Sequence, residues 1–130
     1  MLEVERVDFI GVPVQDVARA RAFYGETLGL PESTAPDDTW PEFETGNVTL
    51  GIFQPDRVGR PFAASSAPIA LRVGDVAEAR RRLQDAGVTF EGEILDSGVC
   101  HMAFFQDPDG NALMLHRRYA PPPRHGEGRG

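Results

Sequence analysis

The amino-acid sequence predicts an α+β fold built from two tandem βαβββ units. The main observation is an internal repeat, because Asp16–Arg21 and Asp75–Arg80 match at five of six positions with an offset of 59 residues. The same offset pairs Val14 with Val73 in the apolar stretches that precede the two segments. Two amphipathic helices can agree by chance, but agreement of the preceding strands as well indicates duplication of a whole unit.

A tight acidic turn is the second observation. The segment Asp107-Pro-Asp-Gly110 stands directly before an apolar stretch that ends at His116. Pro108 fixes φ at about −65° and Gly110 permits a positive φ, so the segment predicts a β-turn that closes a hairpin. Gly46-Asn47 precedes another apolar strand in the same way, which is what a repeated unit requires.

Unit one spans residues 4–54. Its first strand is predicted over Val4–Val14, and Asp16 then caps a helix that ends at Gly29. The turn-rich stretch 31–38 can hold a short strand. A hairpin follows, with its strands over Thr39–Thr45 and Asn47–Gln54.

Residues 55–66 are rich in Pro, Gly and Ser and are expected to link the units. Unit two spans residues 67–118, with a helix from Asp75 to Gly87 and strands over Val88–Leu95, Val99–Gln106 and Asn111–Arg118. We expect residues 1–119 to form a single domain. The tail 120–130 is rich in Pro and Gly and is expected to be disordered.

Composition excludes several classes of function. The chain of 130 residues has a net charge of −7, so a nucleic-acid partner is not expected. All 13 basic residues are arginine, which excludes lysine-based covalent catalysis. No apolar run approaches the roughly 18 residues of a membrane span, and the single Cys100 cannot form an internal disulfide. We therefore expect a cytoplasmic protein that does not bind membranes.

Strand parity separates the side chains into two faces. The first face carries branched aliphatic residues that should pack under the helices: Ile10, Val12, Val14, Ile69, Leu71, Val73, Leu113 and Leu115. The second face carries small, aromatic and polar residues: Phe9, Gly11, Pro13, Pro68, Ala70, Arg72, Ala112, Met114 and His116. An apolar surface with one guanidinium and one imidazole suits a flat or aromatic ligand that bears an acidic or carbonyl group. A cup filled by its own side chains is the alternative.

These features together resemble the vicinal oxygen chelate superfamily, which includes glyoxalases, bleomycin-resistance proteins and extradiol dioxygenases. The resemblance covers Val4 to Arg118. It is carried by the segments Asp8–Val14, Phe23–Leu30, Ile69–Asp75, Leu83–Gly87 and Phe104–Asn111. It implies that the two units form a curved, cup-shaped mixed sheet with the helices on the outer face, and that the protein is a homodimer.

Enzymes of the superfamily usually hold a metal ion in the cup, with four ligands on the first and last strands of the units. Transferred by position, the ligands fall on Phe9, Pro68, Met114 and either Leu50 or Gly51. None of these side chains offers the imidazole or carboxylate donor that such ions need. The resemblance therefore implies that the usual metal site has been lost, and no metal or other cofactor is expected.

Two functions remain open at this point. The first is a metal-independent protein of the bleomycin-resistance type that binds an apolar or aromatic small molecule. The second is a lyase, isomerase or dioxygenase with a noncanonical or metal-free site around His101 and His116, with Cys100 nearby. Histidines satisfied by backbone partners and an inert thiol are the alternative interpretation of these residues. The ligand-binding candidates are Phe9, Trp40, Arg72, His101, Met114 and His116.

Overall fold

The computed structural model describes residues 1–121, and its α+β architecture with tandem units agrees with the prediction. Unit one contains strand β1 (Phe9–Pro13), helix α1 (Val17–Ala22), strand β2 (Glu42–Glu44) and strand β3 (Thr49–Phe53). Unit two contains strand β4 (Ile69–Arg72), helix α2 (Val76–Asp85) and strands β5 (Phe90–Asp96), β6 (Cys100–Gln106) and β7 (Ala112–Arg118). A short 3₁₀ turn over Pro55–Val58 opens the connection between the units.

Each unit forms its own sheet, and the two sheets share a strand pattern. In unit one the order is β1-β3-β2, with β1 parallel to β3 and β2 antiparallel to it. In unit two the order is β4-β7-β6-β5, with β4 parallel to β7 and the other neighbours antiparallel. Each first strand therefore lies at the end of its sheet, beside the last strand of the same unit.

Unit one is the shorter copy of the repeat. Its first strand begins at Phe9 and not at Val4, and residues 1–8 are exposed. The short strand expected within residues 31–38 is reduced to one isolated bridge between Glu32 and Phe43. The prediction overestimated the length of the first strand because β-favouring apolar residues extend back to Val4 and Val7, but both side chains are exposed.

Both predicted helix caps are confirmed. The Asp16 carboxylate accepts a hydrogen bond from the backbone N–H of Arg19 at 3.0 Å, and the Asp75 carboxylate accepts one from Glu78 at 3.0 Å. Helix α1 then changes into a π-helical turn over Phe23–Thr27. Gly25 lies in this turn, and a Cβ there would approach the Phe43 ring to 3.2 Å, so the wider turn passes directly over a core aromatic side chain.

The core lies between the helices and the sheets, as strand parity predicts. Of the predicted aliphatic face, Val12, Val14, Leu113 and Leu115 are buried, together with Tyr24 and Phe43. Ile69, Leu71 and Val73 are only partly buried, and Ile10 is exposed. These less buried side chains line a cleft between the units that is described below.

The acidic turn of unit two joins the units. Asp107 is buried, and its carboxylate accepts hydrogen bonds from the Tyr24 hydroxyl at 2.7 Å and from the Asn111 side-chain amide at 2.8 Å. The same Asn111 amide also donates to the Pro13 carbonyl oxygen at 2.7 Å. Two residues after Asp107 in the same turn, Asp109 accepts a hydrogen bond from the Arg19 guanidinium at 2.7 Å. The turn predicted from Asp107 to Gly110 therefore also fastens unit two to the start of unit one.

Within residues 1–121, no helix combines the length and the apolar character that a membrane crossing requires. The predicted disorder of the tail concerns residues 120–130, of which 122–130 lie outside the described residues.

Candidate ligand-binding site

An aromatic pocket lies on the face of the unit-one sheet opposite the core. Its volume is about 410 Å³, which falls in the range of small-molecule sites. Trp40 and Phe53 form one wall with nearly parallel rings, 8° apart in plane and 6.4 Å between centroids. Phe9 is 57% exposed and Trp40 is 42% exposed, so their rings are accessible from solvent. The lining consists of Phe9, Gly11, Trp40, Glu42, Gly51, Ile52 and Phe53.

Two glycines form the floor of this pocket. Gly11 and Gly51 are paired across the parallel strands β1 and β3. A Cβ at Gly51 would lie 3.1 Å from the Phe9 ring, and one at Gly11 would lie 3.2 Å from the Phe53 ring. Because neither glycine has a side chain, the two phenyl rings lie against the backbone and leave a flat apolar surface.

The pocket contains one charged side chain, Glu42 on β2. Its neighbour on the same face, Glu44, is held by the hydroxyls of Ser33 at 2.7 Å and Thr49 at 2.6 Å. The hydrogen bond from Thr49, followed by that from Ser33, lowers the pKa of Glu44. Within residues 1–121, no side chain donates a hydrogen bond to the Glu42 carboxylate. Glu42 alternates with the buried Phe43, so it lies on the face of β2 opposite the core, which is also the face of the pocket.

A second group of candidate residues lies on the unit-two sheet. Arg72 of β4 is paired in register with His116 of β7, and Met114 precedes His116 on the same face. Met102 and Phe104 of β6 are the register partners of these two β7 residues. The structure thus brings Arg72, Met114 and His116 together, but none of them lines the aromatic pocket that contains Phe9 and Trp40.

His101 does not join His116, which corrects the expectation that the two imidazoles could converge. The register pairs His101 with Arg117 and places it on the core-side face of β6 with Ala103, whereas His116 projects from the opposite face. Sequence adjacency of the strands could not reveal this, because the pairing register decides which residues share a face.

The surroundings of His101 are a small polar cluster at the end of the β5–β6 hairpin. Its Nε2 lies 3.4 Å from an Asp96 carboxylate oxygen, and its ring lies 4.6 Å from that of Tyr119. The backbone N–H of Gly98, and then the Tyr119 hydroxyl, donate hydrogen bonds to Asp96 and lower its pKa. Cys100 projects from the other face of β6, so it does not form a pair with His101.

The positions of the usual metal ligands carry no suitable donors. Gly51 faces the pocket whereas Leu50 is buried in the core, which decides between the two candidate positions in unit one. The pairing of Ala70 with Met114 matches that of Gly11 with Gly51, so Met114 holds the equivalent place in unit two. Within residues 1–121, no three His, Cys, Asp or Glu side chains are grouped closely enough to hold a metal ion. The residues present therefore do not fit the family's metal.

A larger cleft of about 960 Å³ lies between the two units, and residues from both faces of β1 and β4 line it, among them Arg72. Its walls include Ile10 and Leu28 from unit one, and Ile69, Leu71 and Leu83 from unit two. Branched aliphatic side chains dominate these walls, and the cleft lacks the aromatic rings that characterise the smaller pocket. The cleft explains why Ile69, Leu71 and Val73 of the predicted core face are only partly buried and why Ile10 is exposed.

Two small open sheets, each formed by one of the tandem units and packed against helices, define the α+β fold class of this chain. The family model of the Glyoxalase/Bleomycin resistance protein/Dioxygenase superfamily matches residues 6–115. The chain belongs to this superfamily, as the sequence resemblance predicted.

Solved structures provide more detailed comparisons. The chain is 27% identical to TnmS3, an antibiotic binding protein from Streptomyces sp. CB03234, with a TM-score of 0.74 and coverage of 91% of this chain and 99% of that one. A superfamily member from Sphaerobacter thermophilus DSM 20745 is 25% identical, with a TM-score of 0.73 and coverage of 88% and 98%. Lactoylglutathione lyase from Agrobacterium tumefaciens is 18% identical, with a TM-score of 0.72 and coverage of 88% and 94%, and it supports the fold alone. No curated protein matches the chain.

Glu42 and Phe53 line the pocket but were not among the residues predicted from the sequence, and neither was the buried Ile52. Phe53 lies on the same face as Gly51, two residues away, and Glu42 is the register partner of Gly51. Strand parity counted from Gly51 would have found Phe53. To place Glu42 beside Gly51, the register of the β2–β3 pair must be known. The sequence does not specify this register, because the length of the connecting turn cannot be defined from it.

Proposed function

We propose that the protein binds a flat, apolar or aromatic small molecule in the aromatic pocket of unit one and acts by sequestering it. The observation that carries this proposal is the arrangement of Trp40, Phe53 and Phe9 around the glycine floor of Gly11 and Gly51. Rings that stay exposed in a concave site gain free energy when a planar ligand covers them. The similarity to TnmS3, which is named an antibiotic binding protein, supports the same class of function.

Trp40 provides the test, because it is the single tryptophan of the chain. Titration with a panel of planar aromatic compounds should quench or shift its fluorescence with a saturable curve. Phe53→Ala should weaken binding about tenfold, since one ring–ring contact is worth roughly 1 kcal/mol beyond its buried area. Tyr119→Ala, which removes an exposed ring just after β7 and away from the pocket, serves as the matched control. Failure of every compound to bind would refute the proposal.

The alternative, an enzyme that uses His101 and His116 together, has lost its geometric basis because the two side chains project from opposite faces. His116 beside Arg72 can still contact an acidic or carbonyl group of a ligand that extends onto the unit-two sheet. If the protein were an enzyme of this kind, substrate turnover would disappear in His116→Ala while ligand binding persisted.

We also propose that the protein is a homodimer. Strands β1 and β4 lie at the ends of their sheets, the N-terminal residues Leu2, Val4 and Val7 are exposed, and the cleft between the units is apolar. A second copy would cover such surfaces. Sedimentation at micromolar concentration should show a dimer, and a purely monomeric protein would contradict this proposal. Location in the cytoplasm remains a prediction from composition.

A further inference from the structure

We infer that the ligand of the aromatic pocket carries a positive charge. The faces of the aromatic rings and the Glu42 carboxylate both attract this charge. This inference rests on the proposed function and specifies the ligand class of the same pocket. It differs from the expectation based on Arg72, which favoured a ligand with an acidic group.

The charge distribution of the lining supports a cation. Glu42 is the single charged residue among the seven that line the pocket, and the remaining six are aromatic, aliphatic or glycine. The two candidate cations, Arg72 and His116, lie on the other sheet and do not contribute to this lining. An acidic ligand would therefore bring its charge close to Glu42 without a compensating basic group in the pocket.

Glu42 is available for such a contact, in contrast to Glu44. Two hydroxyl groups, those of Ser33 and Thr49, already occupy the Glu44 carboxylate. The Glu42 carboxylate has neither a side-chain hydrogen-bond donor nor an ion-pair partner within residues 1–121, and the side chain is partly buried beside the rings. A partly buried carboxylate gains most from a partner that brings a positive charge.

The aromatic rings of the pocket also favour a positively charged ligand. The face of a tryptophan or phenylalanine ring is negative, so a cation positioned over it is attracted, and tryptophan is the best partner. Trp40 and Phe53 present nearly parallel rings, and the Phe9 ring lies against Gly51. A planar aromatic cation can use both features, since its ring stacks while its charge faces Glu42.

Three probes of one ring system test the inference. N-methylacridinium carries a fixed positive charge, acridine is neutral in mildly alkaline solution, and acridine-9-carboxylate is anionic. Their affinities for the full-length protein and for Glu42→Gln are measured by quenching of Trp40, with Glu44→Gln as the control on the same strand and face. Circular dichroism of each variant checks that it is folded.

We expect the cation to bind about tenfold more tightly than the neutral probe, and the anion to bind most weakly. Glu42→Gln should abolish most of this preference while the neutral probe binds as before, and Glu44→Gln should retain it. Equal binding of the three probes, preference for the anion, or a preference that survives Glu42→Gln would overturn the inference but leave the proposed aromatic site intact. Absence of binding by all three would overturn the site itself.

Discussion

Replacing Asp107 with Asn tests the junction that joins the two units. One carboxylate oxygen accepts backbone N–H bonds from Asp109 and Asn111, both at 2.9 Å. The other accepts from the Tyr24 hydroxyl and the Asn111 amide. Asparagine has the same shape but carries an NH₂ group in place of one carboxylate oxygen. The two groups that donate hydrogen bonds to that oxygen would then face another donor.

The expected loss of stability depends on whether the Tyr24 hydroxyl and the Asn111 amide can reorient when the carboxylate oxygen is replaced. The Tyr24 hydroxyl can rotate and accept a hydrogen bond from the new amide, so its loss is partial. The Asn111 amide cannot turn over, because its oxygen accepts the Ser65 N–H at 2.8 Å while its nitrogen donates to Pro13. One buried donor left without an acceptor costs about 1–3 kcal/mol, and a hydrogen bond to a charged group contributes about 1.5–3 kcal/mol. We expect Asp107→Asn to lower the free energy of unfolding by roughly 2–4 kcal/mol.

Urea denaturation measures this loss, and Tyr24→Phe provides the partner for a double-mutant cycle. Tyr24→Phe removes one donor and should cost about 1–2 kcal/mol, and the double variant should cost less than the sum of the two. If Asp107→Asn retained wild-type stability within about 0.5 kcal/mol, the acidic turn would not hold the units together.

The same hydrogen bond predicts a response to alkaline pH. Burial, and then the charge of Asp107, raise the pKa of Tyr24 far above its ordinary value of 10.0. The phenol stays protonated in the folded protein but titrates normally in the unfolded chain, so its contribution to stability is complete below pH 10.0 and falls as the pH rises further. In Tyr24→Phe, the part of the stability loss above pH 10.0 that is due to this phenol should disappear. If the free energy of unfolding depended on pH in the same way in both proteins, Tyr24 would not be the responsible group.

Three further predictions concern separate parts of the chain. Asp75→Ala should lower stability by about 1 kcal/mol through loss of the α2 cap, and Asp85→Ala, at the other end of the helix, should not; equal effects in urea would contradict the capping role. Gly51→Ala should push the Phe9 ring from the pocket floor and weaken binding of planar ligands, whereas Gly74→Ala, where a Cβ meets nothing within 4 Å, should bind as the wild type does. Zn²⁺, Mn²⁺, Ni²⁺ or Fe²⁺ should leave the melting temperature unchanged, and chelator should alter neither stability nor ligand affinity. Elemental analysis that finds about one metal per chain, lost in His101→Ala or His116→Ala, would reverse this last conclusion.

The architecture was predictable because local signals repeat in the two units. Asp16 and Asp75 cap their helices, Gly29 and Gly87 follow them with positive φ, and the acidic turn lies between β6 and β7 as its residues require. Such features depend on backbone conformations that few residues adopt, so they can be recognised in the chain itself.

The site was only partly predictable, because its geometry depends on pairings between distant strands. Phe9 and Trp40, two of the candidates for ligand contact, both line the aromatic pocket, and their contact with a ligand stays a prediction. His101 was grouped with His116 because the two residues lie on neighbouring strands, but the register of β6 with β7 places them on opposite faces of the sheet. Side-chain period alone cannot exclude a one-residue shift, and such a shift reverses every side chain of a strand.

The hydrogen bonds that join the two units involve different residues from those that line the aromatic pocket. The bonds of the acidic turn reach Pro13, Arg19 and Tyr24 but not Phe9, Trp40, Glu42 or Phe53. Substitutions can therefore accumulate around the aromatic rings while the junction between the copies stays intact. A scaffold of this kind can acquire new ligands through a few exposed side chains, without the compensating mutations that a change in the junction would require.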